Sequence, residues 1–245
     1  MKLILPLNNM MLQAGYKSAQ YEKEWGWKHY GVDATNPSSR NIYGMGAGVV
    51  VAAGQDGATL TGPNSRLGNV VVIVYKDVEL ADGTVRDIAC RMYHLAKINV
   101  KAGDDVDEKT VIGQYGNTGA NTTGAHLHIE FDTDTKFPTL APGVSIGKGK
   151  VINTAAEYAK AGGVADSTID PAKVWNKGKA QTIGSKWLGS WVSESDLDIG
   201  TVETKSEVEE LKAEIAKLKE DNARYEAIIN KALYYIEEAR KTMEV

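Results

Sequence analysis

Two apolar segments joined by a tight turn place the strongest constraint on the fold of this chain. Residues 69–75 are β-branched almost throughout, which is typical of a strand that is covered on both faces. Asp82-Gly83 favours a hairpin turn, and residues 84–93 follow as the returning partner strand. Because so short a turn joins only antiparallel strands, the pair predicts an antiparallel sheet.

Other strand patterns extend this prediction along the first 142 residues. Glycines bracket an apolar run at 48–54, and further strands are predicted at 111–116 and 126–131. Strands outnumber helices here and the connections are short. We therefore predict a β-rich, antiparallel domain.

The expected bounds of this domain are residues 1–178. Its core is expected at about 10–142, and a short helical extension at 143–178. Within the extension, Thr154 and Glu157 have the spacing of a capping box at the start of one short helix.

The stretch after the extension reads as a connection. Asp170-Pro171 and Trp175 are expected to lead the chain back onto the domain, and residues 179–204 are expected to form a linker. Trp187 and Trp191 lie in this linker, where packing is the favoured role and contact with a glycan is the alternative.

The last segment has a heptad repeat, in which apolar residues step by three and four over roughly five heptads. β-branched residues at the a positions, Leu at the early d positions and one Asn at an a position favour a parallel dimer in register. We therefore predict a coiled coil at 205–245 that forms a homodimer; an amphipathic helix folded back on its own domain is the alternative. The a positions are Val208, Ile215, Asn222, Ile229 and Ile236, and the early d positions are Leu211 and Leu218.

Composition excludes several classes of protein. The net charge of −4 at pH 7 argues against nucleic-acid binding. The single cysteine, Cys90, rules out an intrachain disulfide and a thiolate metal cluster. No stretch approaches the roughly 18–20 apolar residues of a membrane span, so we expect no membrane insertion. The apolar start of the chain ends at Asn8-Asn9, which is too short for a signal peptide, and none is expected.

The chain has only four histidines, and their positions point to chemistry. His126 and His128 lie two apart in a predicted strand, so their side chains share one face. His29 precedes Asp33 by four residues, and His94 ends a strand. Each taken alone fits an ordinary surface or strand-end role. Together they offer two imidazoles and one carboxylate for a catalytic zinc, with a fourth position for water and two histidines left for proton transfer.

Three motifs in order resemble those of the lysostaphin/LytM-type zinc metallopeptidases, which occur in cell-wall-remodelling enzymes and phage endolysins. They are His-x-x-x-Asp at 29–33, Tyr-His-Leu at 93–95 and Gly-x-His-Leu-His at 124–128. Residues 112–119 also match the Ile-Gly-x-x-Gly-x-Thr-Gly landmark of that family. The resemblance covers about residues 10–135.

The resemblance implies a role for each residue of the constellation. It implies one zinc ion per chain, held by His29, Asp33 and His128. It also implies that His94 and His126 are the catalytic pair that handles protons, without deciding which of the two is the general base.

Three further residues are candidates for supporting roles. Glu130 shares a strand face with His128, where it could hold an imidazole N–H or form a surface ion pair. Tyr21 and Tyr30 are candidate oxyanion helpers. The approach to His29 at 21–25 matches no pattern of the family.

The implied function is zinc-dependent hydrolysis of peptide bonds in peptidoglycan. We expect a phage endolysin, made in the host cytoplasm and released to the wall by a holin. The alternatives are a virion-associated tail lysin and a non-enzymatic activator or structural tail component. A purely structural zinc site is disfavoured because such sites close with four protein ligands. Dimerisation would bring two active sites to one polymer in place of a wall-binding module.

Overall fold

The computed structural model of the protein describes most of the first two hundred residues and part of the last segment. The described residues are 1–26, 28–55, 67–136, 138–139, 166–185, 200–201, 216–219, 221–222, 224–226, 229 and 231. The chain divides into two compact units, Met1–Val202 and Glu203–Val245.

Strands dominate the first unit, as the sequence predicts. A nine-stranded sheet has the order β13-β1-β2-β10-β6-β5-β4-β8, with β11 added beside β10, and a second sheet has the order β3-β9-β7. The strands are β1 (Asn9–Ala14), β2 (Val32–Thr35), β3 (Asn41–Tyr43), β4 (Gly48–Gln55), β5 (Asn69–Glu79), β6 (Val85–Tyr93), β7 (Leu95–Ile98), β8 (Asp105–Val106), β9 (Val111–Tyr115), β10 (Leu127–Asp132), β11 (Thr168–Ile169), β12 (Asn176–Lys177), β13 (Thr182–Ser185) and β14 (Gly200–Thr201).

The predicted hairpin is confirmed. β5 and β6 pair antiparallel from Val71 opposite Met92 to Glu79 opposite Val85. Gly83 in the turn has φ of 81°, a left-handed conformation that glycine adopts without steric cost. Pairing is antiparallel throughout the two larger sheets, except that β1 and β13 run parallel.

The two faces of the large sheet have different contents. On β10, Leu127 and Ile129 are 0% exposed and pack into the main apolar core. His128 and Glu130 alternate with them and therefore lie on the opposite face. β2 follows the same rule, because Val32 and Ala34 enter the core while Asp33 faces the other way. At β2 and β10, one face of the sheet thus packs into the main apolar core, and the other face carries polar side chains.

The segment after residue 166 returns to the domain, as expected for Asp170 and Trp175. Trp175 is buried, its ring lies 5.5 Å from that of Phe131, and it bridges to Leu3. The structure differs from the sequence-based expectation further on, since β13 lies inside the expected linker and pairs with β1. The free backbone groups of the edge strand β1 explain this pairing, which the short, polar sequence of β13 does not reveal.

A seven-residue helix, α1 (Ala19–Trp25), leads to the first histidine and was not predicted. The sequence carries its end signals. The Ser18 hydroxyl oxygen accepts from the Tyr21 N–H at the start, and Gly26 ends the helix with φ of 79°. A 3₁₀ helix at Pro171–Lys173 is the other short helix of the first unit's described residues.

The described residues of the second unit, between 216 and 231, are helical. Three of its large apolar side chains are well exposed: Leu218 at 61%, Tyr225 at 63% and Ile229 at 57%. In the described part of the chain, no helix is long and apolar enough to cross a membrane. The helix expected after Thr154, and Trp187 and Trp191, lie outside the described residues.

Candidate metal centre and cleft

The register between β2 and β10 brings two of the predicted ligands together. Asp33 lies directly opposite His128 in this antiparallel pair. His29 comes from the irregular segment just before β2, and its backbone carbonyl accepts from the Lys17 N–H. Gly31 permits this approach, because a Cβ there would lie 2.3 Å from the carbonyl oxygen of Ile129. A larger residue would push the ligand segment away from β10.

The donor atoms of these three side chains form a small triangle. His29 Nε2 lies 3.1 Å from Asp33 Oδ1 and 3.0 Å from His128 Nδ1, and His128 Nδ1 lies 2.9 Å from Asp33 Oδ1. Ligands of a tetrahedral zinc at about 2.0–2.1 Å are about 3.3 Å from one another. The three separations therefore fit one small cation.

The hydrogen bonds behind the triangle fix the state of each imidazole. His29 Nδ1 lies 2.9 Å from the Gly15 carbonyl oxygen, which can only accept, so this nitrogen donates and Nε2 keeps its lone pair. His128 Nε2 lies 3.1 Å from Glu130 Oε1 and donates to that carboxylate, so Nδ1 is the nitrogen that faces the triangle. With Nδ1 deprotonated, as metal binding requires, three electron pairs face one another.

Such an arrangement needs a positive charge at its centre. The pKa of Asp33 is well below its usual range: burial would raise it, but the neighbouring imidazoles of His29 and His126 lower it. Burial would lower the pKa of His128, yet its hydrogen bonds with Asp33 and Glu130 raise it to about 9. Two imidazole nitrogens and one carboxylate oxygen are a donor set that zinc prefers, so the residues present fit that metal.

His94 and His126 stand beside the triangle without joining it. Their rings lie 5.0 Å apart, and His126 Nε2 lies 3.4 Å from Asp33 Oδ1. His94 Nδ1 donates to the Thr118 carbonyl at 2.9 Å and His126 Nδ1 donates to the Gly124 carbonyl at 2.8 Å, so in each ring Nε2 is the nitrogen that is not bonded to the backbone.

The two rings have different surroundings. Burial and the neighbouring imidazoles lower the pKa of His94 to about 4. Burial would also lower the pKa of His126, but the Asp33 carboxylate beside it raises the value above the usual one. His94 has φ of 64°, which is uncommon for a residue other than glycine and frequent at functional sites.

Glu130 lies behind His128 and is buried. Its Oε2 accepts from Arg91 Nε at 2.9 Å and from the Tyr93 hydroxyl at 3.1 Å, while Oε1 contacts the imidazole. Burial would raise the pKa of Glu130, but the Arg91 guanidinium and His128 lower it to about 2. The surface ion pair considered from the sequence is therefore wrong, and the buried carboxylate holds an imidazole N–H of the predicted ligand His128 instead.

A cleft of about 500 Å³ lies over these residues. Its lining includes Tyr21, Trp25 and Tyr30 from α1 and the segment after it, and residues 120–125 from the loop before β10. Tyr21 stacks on His29 with ring centroids 4.3 Å apart. An aromatic wall beside a metal centre forms a binding groove of the size that ligand sites usually have.

Reasoning from the sequence missed Arg91, Tyr93 and the Tyr21 stack. A signal for Arg91 was present, because a cation interrupts the apolar run at 88–93 while acidic residues alternate at Glu130 and Asp132. The pairing of Arg91 with these carboxylates could be found only from the register between β6 and β10.

The comparison with known protein families assigns one part of the chain to a family of peptidases. Residues 27–139 match peptidase family M23 and form a domain of that family. The zinc dependence of M23 peptidases agrees with the donor set of the triangle.

One curated relative and two solved structures illustrate the likeness. Peptidoglycan DD-endopeptidase ShyA of Vibrio cholerae is 36% identical over 102 residues, which are 42% of this chain and 20% of the relative. A zinc-containing peptidase from Vibrio cholerae is 25% identical with a TM-score of 0.40, over 53% of this chain and 36% of that one. The catalytic domain of lysostaphin from Staphylococcus simulans is 24% identical with a TM-score of 0.36, over 60% and 78%. The chain thus spans a fifth of the curated relative's length.

Proposed function

We propose that this protein is a zinc-dependent endopeptidase that hydrolyses peptide bonds in bacterial peptidoglycan. The observation that carries the proposal is the triangle of donor atoms from His29, Asp33 and His128, with two more imidazoles at its side. The curated relative ShyA, a peptidoglycan DD-endopeptidase, supports the choice of substrate.

We propose that His29, Asp33 and His128 hold the metal ion. Zinc bound there would supply a Lewis acid that activates water and polarises the scissile carbonyl. Gly15 and Glu130 keep the two ligand rings in the required tautomers, so the protein contributes a preformed site.

His94 and His126 are the proposed proton-transfer pair. Each ring lines the cleft and has Nε2 available for proton transfer, because its Nδ1–H is bonded to a backbone carbonyl. At this atom an imidazole can take a proton from the attacking water and return one to the leaving amine. A protonated imidazole can also stabilise negative charge on the carbonyl oxygen. The cleft walls at Tyr21 and Tyr30 would orient the peptide.

Purified protein tests the proposal directly. We expect about one equivalent of zinc per chain, and clearance of purified cell walls that stops on addition of a chelator and returns with zinc. Mass spectrometry of fragments from walls of different cross-link chemistry would identify the cleaved bond. A protein without zinc that clears walls equally well with chelator would contradict the proposal.

The finer proposal is a role in host lysis as a phage endolysin, with a virion-associated lysin as the alternative. It rests on the resemblance of residues 10–135 to a family that includes endolysins. Expression in host cells with and without a holin tests it. Lysis only in the presence of the holin is expected, whereas activity found on purified virions would favour the alternative.

We further propose that residues 205–245 form a parallel homodimer and that 1–178 contains the catalytic domain. Leu218, Tyr225 and Ile229 occupy heptad positions on helical residues and expose most of their apolar surface, which a second copy would cover. Asn222 at an a position would select two strands.

Solution mass tests the dimer. The full chain is expected at twice its monomer mass of 26.5 kDa. Asn222→Ile should broaden the distribution to higher oligomers without lowering stability, because the buried Asn selects oligomer state at a cost in stability. A monomer at micromolar concentration would contradict the proposal.

A further inference from the structure

A fully buried arginine lies on the same face of the sheet as the metal centre. Arg91 on β6 is 0% exposed and is paired in register with Glu130 on β10. Its Nε donates to Glu130 Oε2 at 2.9 Å, and its Nη2 donates to Asp132 Oδ2 at 2.8 Å. Its Nη1 donates to the Pro138 carbonyl oxygen at 3.3 Å. The guanidinium therefore joins two carboxylates of β10 and the segment that follows.

Stability alone does not account for this arrangement. A buried ion pair recovers from its partners little more than it costs to remove the charges from water, and well-packed apolar residues often stabilise a protein as well. Neighbouring positions on β5 and β6 are apolar, so apolar residues in place of Arg91 and its two carboxylates together could pack there. The charge is better explained by what it orients.

Glu130 divides its two oxygens between two tasks. Oε2 receives Arg91 Nε and the Tyr93 hydroxyl, whereas Oε1 receives His128 Nε2. The Tyr93 ring also stacks on His128, with centroids 5.3 Å apart and planes 18° apart. With one oxygen held from behind, the carboxylate is fixed with the other oxygen directed at the imidazole.

We propose that Arg91 is a positioning residue of the metal centre, which acts through Glu130 to hold His128 with Nε2 protonated and Nδ1 directed at the metal. This inference rests on the metal-binding role proposed above for His128. A backbone carbonyl performs the equivalent task for His29, but His128 lies mid-strand, where neighbouring strands already use the carbonyls. A side-chain acceptor with its own support takes their place.

Asp132 provides a matched control. It is as deeply buried as Glu130 and bonds to the same guanidinium. It lies two residues further from His128 and, among the contacts of the described residues, bonds to Arg91 and to the backbone N–H of Asp134 rather than to an imidazole. A loss of charge at Asp132 therefore perturbs Arg91 without touching the bond to His128.

The experiment compares Arg91→Lys, Glu130→Gln and Asp132→Asn in the full chain. Zinc affinity is measured by competition with a chromophoric chelator, and folding by thermal unfolding of the metal-free protein. The Nε2–H proton of His128 is followed by ¹H–¹⁵N NMR, because a hydrogen-bonded ring proton exchanges slowly with water.

Arg91→Lys and Glu130→Gln should weaken zinc binding by about 10- to 100-fold, the usual effect of removing a partner behind a metal-binding histidine. The exchange of the His128 Nε2–H should become faster in both. Asp132→Asn should lower the unfolding temperature and leave zinc affinity unchanged. Equal weakening by Asp132→Asn, or unchanged affinity in Arg91→Lys, would overturn the inference.

A double variant covers the case in which Arg91→Lys does not fold. Arg91→Met/Asp132→Asn removes the guanidinium together with the charge that it would leave unpaired at Asp132. It should show the same loss of zinc affinity and fast exchange at His128, and wild-type values would overturn the inference. If the wild-type protein bound no zinc, the proposed function would fail, while proton exchange at His128 would still test the role of Arg91.

Discussion

His126 and His128 lie two residues apart, and the surroundings of their rings differ in one respect that matters for chemistry. His128 donates from Nε2 to the buried carboxylate of Glu130, which Arg91 and Tyr93 hold in place. His126 donates from Nδ1 to a backbone carbonyl, that of Gly124 in the loop that lines the cleft. An ionised acceptor raises the basicity of a ligand, whereas a loop carbonyl orients a ring that can gain and lose a proton. These different acceptors agree with the proposed roles, metal binding for His128 and proton transfer for His126.

Removing His128 tests the binding half of this comparison and should have the largest effect. His128→Ala deletes one of three ligand atoms and leaves Glu130 without its imidazole partner. We expect loss of stoichiometric zinc and of wall hydrolysis, measured by metal analysis after dialysis. If His128→Ala kept its zinc while His126→Ala lost it, the two roles would be reversed.

His126→Ala tests the proton-transfer half of this comparison. His126 Nε2 lies 3.4 Å from Asp33 Oδ1, outside the triangle of ligand atoms, so this variant should keep its zinc. We expect kcat to fall by roughly 10²- to 10⁴-fold, the usual contribution of a general acid or base, with a smaller change in KM. Steady-state kinetics on a soluble cross-linked peptide would measure it. An unchanged kcat would remove His126 from the proton-transfer pair.

A loop variant tests how His126 is held and should have the smallest effect. The Thr122 hydroxyl lies 2.6 Å from Asn117 Oδ1 and 3.1 Å from the Gly124 carbonyl oxygen, so it ties down the acceptor of His126. Thr122→Val keeps the shape and removes the single hydroxyl proton that these two acceptors share, a contribution of about 1 kcal/mol. We expect a severalfold lower kcat. Zinc affinity of the same variant is the internal control, and a drop in it would mean that the loop also supports the ligands.

The local sequence was sufficient wherever one strand or one turn decides the outcome. The alternation around Leu127 and Ile129 predicted that His126 and His128 face away from the core, and both apolar residues are buried. The β-branched run and Asp82-Gly83 predicted the β5–β6 hairpin. The regular strand starts at Leu127, while His126 bridges to Gly116 across a separate pair.

The local sequence was insufficient wherever two distant segments decide the outcome together. β13 pairs with β1 although it lies where a linker was expected, because an edge strand accepts a partner of almost any sequence. Helix α1 was missed despite its Ser18 and Gly26 end signals, since seven residues show too little periodicity to be recognised.

The sequence by itself determined the chemical groups: four histidines and Asp33, spaced so that a strand face presents two of the imidazoles together. Tertiary structure alone decided which atoms meet. The pairing of β2 with β10 sets Asp33 against His128, and the pairing of β6 with β10 sets Arg91 against Glu130. The physical reason is that side-chain period is a local property of a strand, whereas register between strands far apart in sequence depends on the packing of the whole sheet. The family resemblance implies that His128 is a metal ligand, and the neighbouring strand supplies the contacts that hold its ring.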